Sequence, residues 1–130
     1  MRKTLDHVTC GLSAVLLMAF SGCSKSTSDG VPTASTPKQA ASQLQEAFVS
    51  APVEVKNDAI VASQALKSAD YEKAILSLEA MKARQNLTFE QGMAVHNSMV
   101  SLEAKLIAAM EAGDPNAKRA YELLKKSRRD

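Results

Sequence analysis

From Thr36 onward, apolar residues recur at spacings of three and four, and the runs are separated by residue pairs that start or stop helices. Thr36 can cap a helix that begins at Pro37, whose fixed φ suits the first helical turn. Ala40, Ala41, Leu44, Ala47, Phe48 and Ala51 then form one apolar face. Pro52 breaks this run or opens the next, in which Val53, Ile60, Ala62, Leu66 and Ala69 carry a less regular stripe. Asp70 can cap a third helix, with Tyr71, Ala74, Ile75, Leu78 and Met81 inside and Asn86-Leu87 closing it.

Thr88-Phe89-Glu90-Gln91 has the capping-box spacing, in which Thr88 and Gln91 satisfy each other's backbone donors. A long helix is expected from there to about Ala112. Its stripe is Val95, Met99, Leu102, Leu106 and Met110, widened by Ile107 and Ala109. Gly113 can take the left-handed conformation that ends it. Asp114-Pro115 starts the last helix, with Ala117, Ala120, Tyr121 and Leu124 inward and a basic end that suits the negative carboxyl terminus. No stretch alternates with period two for long enough to make a strand. The expected class is all-α: four or five helices in antiparallel hairpins with short turns, forming a helical domain over residues 37–130.

With 130 residues, the chain has room for one domain. Good helix formers fill its second half, while aromatics are 4% of residues and Trp is absent. Such a core is close-packed but thin, so modest stability, or help from a partner, is expected. A net charge of +2 and so few aromatics argue against a nucleic-acid partner.

The amino-terminal segment has a different composition. Arg2 and Lys3 precede an apolar or small run, Val8 to Phe20, of about 13 residues. A spanning helix needs roughly 20, so the run has the length and flanks of a secretory signal core. It closes on Phe20-Ser21-Gly22-Cys23. This junction resembles the lipobox of bacterial lipoproteins, a small-residue pair before a cysteine, with Phe20 standing where Leu is usual. The resemblance covers the first 23 residues. It implies a signal peptide over 1–22, cleavage between Gly22 and Cys23, a diacylglycerol on the Cys23 sulfur and often a third acyl chain on its amino group. Two or three chains give durable anchoring where one does not. Ser24 after the cysteine resembles the pattern that sends lipoproteins to the outer membrane, periplasmic side, of a cell with two membranes. Two alternatives stay open: ordinary secretion with cleavage after Ala19-Phe20-Ser21, and an uncleaved anchor. Cys10 lies inside the apolar run, so removal of that run leaves one thiol and no internal disulfide.

Residues 23–36 form the expected tether. Ser24 to Pro37 is rich in Ser and Thr, with Val31 its one large aliphatic residue, and burial there cannot offset the entropy of ordering.

Ala69-Asp70-Tyr71-Glu72-Lys73-Ala74 resembles the turn of a tetratricopeptide repeat, with Ala74 in the place of its packing alanine, Ala62 at the small crossing position and Leu78 at a large one. Asp58, Ala65 and Asn86 depart from that pattern, and Ala120 follows Ala74 by 46 residues rather than the ~34 of a regular array. The resemblance implies stacked helical hairpins with a concave, peptide-binding face, and hence an envelope protein as partner.

Three further features bear on function. Met93, His96 and Met99 span roughly 120° of a helix surface, and thioethers with imidazole favour Cu(I). A lone His96 at the core margin, with Met99 filling the core, is the simpler reading. Lys118, Arg119, Lys125, Lys126, Arg128 and Arg129 make a basic end able to touch anionic headgroups or cell-wall polymers, or simply to be solvated. For catalysis there is no Gly-x-Ser-x-Gly, no phosphate-cradling glycine loop, no His-Glu-x-x-His and no haem-attachment motif. The expectation is a non-catalytic, lipid-anchored binding or scaffold module with no cofactor. A structural lipoprotein contacting the wall through its basic end is the alternative.

Overall fold

The computed structural model describes Ala34 and residues 36–129. The segment expected as a signal peptide, which holds Cys10 and Gly22, lies outside the described residues, as do Cys23 and all of the expected tether except Ala34 and Thr36. Among those described there are five helices and no strand: α1 Pro37–Ala47, α2 Val53–Ser68, α3 Tyr71–Lys82, α4 Phe89–Glu111 and α5 Pro115–Ser127. None is long and apolar enough to cross a membrane.

The boundaries follow the capping residues. The Thr36 side chain accepts from the backbone N–H of Gln39, Asp70 from that of Lys73, and Asp114 from those of Asn116 and Ala117. Each satisfies donors that a first helical turn leaves open. Thr88 and Gln91 complete the capping box of α4. Gly113 adopts φ 86° between α4 and α5, a conformation that costs glycine little. Helix α3 ends earlier than the Asn86-Leu87 pair suggests. Ala83 is its C-cap, and residues 84–88 form the turn.

Four helices close into a ring: α1 packs on α2, α2 on α3, α3 on α4, and α4 returns to α1. Helix α5 lies along α3 and α4. One core runs through all five helices. Its large fully buried side chains include Leu44 and Phe48 from α1 and the turn after it, Ile75, Leu78 and Met81 from α3, Leu102 and Leu106 from α4, and Leu124 from α5.

Helix α2 plays another part, and here the sequence expectation is corrected. Val53 is 69% exposed, Ile60 is half-buried and Ala69 is an exposed cap. The buried face is Ala59, Ala62, Ser63, Ala65 and Leu66. Small side chains give this face little relief, so α1 and α3 can approach α2 closely. The core selects positions by closeness of approach here rather than by side-chain hydrophobicity. Arg84, just beyond α3, pairs with Asp58 of α2 and so ties the hairpin at its far end.

The order of contacts fixes which ends lie together. Thr36 to Lys38, at the start of α1, borders Ala69 and Tyr71 at the α2–α3 turn. That turn also borders Asn116 and Arg119 in the first turns of α5. The carboxyl end of α5 lies at the opposite end, where Ser127 donates to Glu79 and Arg128 borders Lys82, Leu87 and Gly92. Thirteen residues of α5, at about 1.5 Å each, separate the two ends by about 20 Å.

Candidate functional site

Helix α4 has apolar residues on two faces. The inner face carries Ala94, Val95, Met99, Leu102 and Leu106. On the outer side Phe89 is 80% exposed, Val100 43% and Ile107 39%. Met93 is half-buried and His96 exposed. The outer positions 89, 93, 96, 100, 103 and 107 step by four and three residues in turn. Phe89, Val100 and Ile107 are the large exposed apolar members of this seam, while His96 and Glu103 interrupt it and Glu103 is paired with Arg128 of α5; a 3.5-residue period is the one that keeps a stripe facing a partner helix. Over its 23 residues α4 is about 35 Å long, so the seam runs for most of the domain's length.

Beside the seam lies an open cavity of about 390 Å³. Its apolar floor includes Leu87, Val95, Met99 and Val100; His96, Lys82 and Arg128 supply its polar edge. Gly92 also lines it, and a side chain at that position would meet nothing within 4 Å. The glycine therefore leaves the mouth open rather than relieving a clash. Arg128 is held in place by Glu103 through two hydrogen bonds, 2.9 and 2.6 Å. That contact raises the Arg128 pKa above the ordinary guanidinium value, first through the hydrogen bond to Glu103 and against the opposing effect of burial. The cation is thus fixed at the edge of an apolar depression.

The residues singled out from the sequence are distributed as follows. Met99 is 6% exposed and belongs to the core, His96 stands on the outer seam, and Met93 does not line the cavity that the other two share. Two of the three thus remain as surface donors, on adjacent turns of one helix. Among the described residues no three His, Cys, Asp or Glu side chains come together. Of the basic end, Arg128 pairs with Glu103, Arg119 lies 3.8 Å from Glu72, and Lys125 lies 3.6 Å from Glu122 and over the Tyr121 ring. Lys126 and Arg129 remain directed to solvent at the end of α5. The inward placement of Ile107 expected from the periodicity is corrected, because 39% exposure puts it on the outer seam.

Phe89 and Val100 were not legible as site residues. Phe89 reads as part of a capping box, and Val100 falls between inner-face positions. The signal that could have found them is the second four-three spacing within α4, which makes one helix apolar on two sides. No family model matches this chain, and no curated protein or solved structure matches it either.

Proposed function

We propose that this chain is a lipid-anchored protein of the bacterial cell envelope, held by acylated Cys23, whose helical domain is a non-catalytic protein-binding or scaffold module. In a cell with two membranes the reading places it on the periplasmic side of the outer membrane. One observation carries the binding role: the exposed seam of α4, in which Phe89, Val100 and Ile107 stand in water at the spacing of a helix-pairing surface. Isolated exposed apolar residues need no explanation. A regular row beside an apolar cavity is what an amphipathic helix of a partner would cover. The partner is then an envelope protein that offers a helix with apolar residues at the same spacing. The resemblance of the α2–α3 turn to a tetratricopeptide hairpin agrees with such a role.

The test is cross-linking in cells from a photoreactive residue at Val100. A discrete adduct, lost on Phe89→Asp and on Cys23→Ala, supports the module and its anchoring. No adduct beyond bulk envelope material counts against it.

A second reading has its own support. The end of α5 that bears Lys126 and Arg129 lies at the other end of the bundle from Thr36. An anchored domain would then present that basic end away from the membrane, toward the anionic polymers of the wall. This structural lipoprotein would sediment with isolated cell wall and lose that property in Lys126→Ala/Arg129→Ala. The copper reading is the weakest of the three, since Met99 packs in the core.

A further inference from the structure

A second cavity, about 280 Å³, opens at the end of the bundle where α1 starts. Four helices supply its walls. Its floor is apolar, formed mainly by Leu66, Leu102 and the ring of Tyr71. Lys38 of α1, Lys67 of α2 and Lys105 of α4 surround it, and no carboxylate lines it. Several cations elsewhere on the surface are paired with acids: Arg84 with Asp58, Arg119 with Glu72, Lys125 with Glu122 and Arg128 with Glu103. Here the polar contact that Lys67 makes is with the neutral side chain of Gln45, at 3.5 Å. Three like charges around one apolar depression repel one another and are stabilised together by an anion.

The chain outside the described residues reaches this same place, since Thr36 lines the cavity. Cys23 is 13 residues upstream, a length of chain that spans at most about 45 Å. An anchor at Cys23 therefore keeps this end of the bundle within reach of the bilayer surface.

We propose that the cavity ringed by Lys38, Lys67 and Lys105 docks the headgroup of an anionic phospholipid in the membrane that holds Cys23, with the glycerol and first methylenes against Tyr71, Leu66 and Leu102. The inference takes the orientation of the domain from the anchored reading. Its chemistry is that of the cavity: phosphate oxygens accept from ammonium groups, and an apolar floor takes the part of the lipid that water does not. Docking here sets the bundle upright, with the basic end of α5 and the first turns of α4 pointing away from the bilayer.

The experiment uses the full chain made in a bacterial host and mixed with vesicles, either of phosphatidylcholine alone or of phosphatidylcholine with phosphatidylglycerol. Amine labelling followed by mass spectrometry reads each lysine. On the anionic vesicles, labelling of Lys38, Lys67 and Lys105 should fall about fivefold, of the order that contact of one lysine with an anionic surface gives. Lys82 and Lys126, at the opposite end of the bundle, should not change, and added salt should restore labelling. In Lys67→Gln/Lys105→Gln, two exposed positions where the fold should survive, the protection of Lys38 should disappear. Equal labelling on both vesicle types overturns the proposal. So does equal protection by inorganic phosphate on neutral vesicles, which would make the ligand a free anion. Flotation with neutral vesicles reports the Cys23 anchor separately, so loss of the anchor and failure of the cavity give different results.

Discussion

The Ser63 hydroxyl donates a 2.9 Å hydrogen bond to the Ala41 carbonyl oxygen, and neither residue is exposed. It fastens α2 to α1. The bond needs close helix approach, which the alanines around it allow. Ala40 and Ala41 on one helix and Ala59 and Ala62 on the other are all buried. Ser63→Ala should therefore lower stability by about 1 kcal/mol, the net worth of a neutral hydrogen bond. Ser63→Leu should cost about 1–3 kcal/mol or more, since it must push the helices apart. Urea denaturation separates the two, because a lost bond and an overpacked interface differ in size.

Ala69 ends α2 in the left-handed region at φ 56°, where a side chain is strained. The backbone N–H groups of Ala69 and Asp70 both reach the Ala65 carbonyl oxygen, so the turn is fixed by its own hydrogen bonds. Ala69→Gly should raise stability by about 1 kcal/mol, or about 4–8 °C in Tm for a domain of this size. A fall in Tm would mean that the Ala69 methyl group contributes more by packing than the strain costs.

Ser101 is 4% exposed, and its hydroxyl has no hydrogen-bond partner. Its desolvation is uncompensated, so Ser101→Ala should stabilise the fold by about 1 kcal/mol. Thermal melting decides it. A loss of stability would show that a buried water satisfies this hydroxyl in solution.

The Arg128–Glu103 pair is well aligned but partly open to water, with side-chain exposures of 44% and 26%. Arg128→Ala should cost no more than about 1 kcal/mol, and less in high salt. The folded Arg128 pKa is raised above its unfolded value. The stability it contributes is thus fully present below the unfolded guanidinium value and lost only as pH rises through the raised one. The difference between wild type and variant should stay constant from neutral to mildly alkaline pH while falling with salt. A pH-dependent difference in that range would implicate another group.

Much of the fold was legible because caps are local. Thr36-Pro37, Asp70, the Thr88–Gln91 box and Asp114-Pro115 each act within one turn, so four helix starts could be read from neighbouring residues. The α3 core positions were also clear, since Ala74, Ile75, Leu78 and Met81 are apolar at one spacing on a helix with one buried side. Helix α2 was read only in part: Ala62 and Leu66 are buried as expected, but the rest of its buried face is Ala59, Ser63 and Ala65, and hydrophobicity does not distinguish an alanine at a close crossing from one in water. The outer seam of α4 and the lysine-ringed cavity depend on which helices meet. Lys38, Lys67 and Lys105 are far apart in the chain, and no local pattern joins them.

The central claim, an anchored module whose α4 seam binds a partner helix, is tested most directly by photo-cross-linking at Val100 in cells. The account predicts a discrete protein adduct that disappears on Phe89→Asp, while a photoreactive residue at the exposed α2 position Gln64 gives none. The same pattern of adducts from both positions, or none from either, would contradict it.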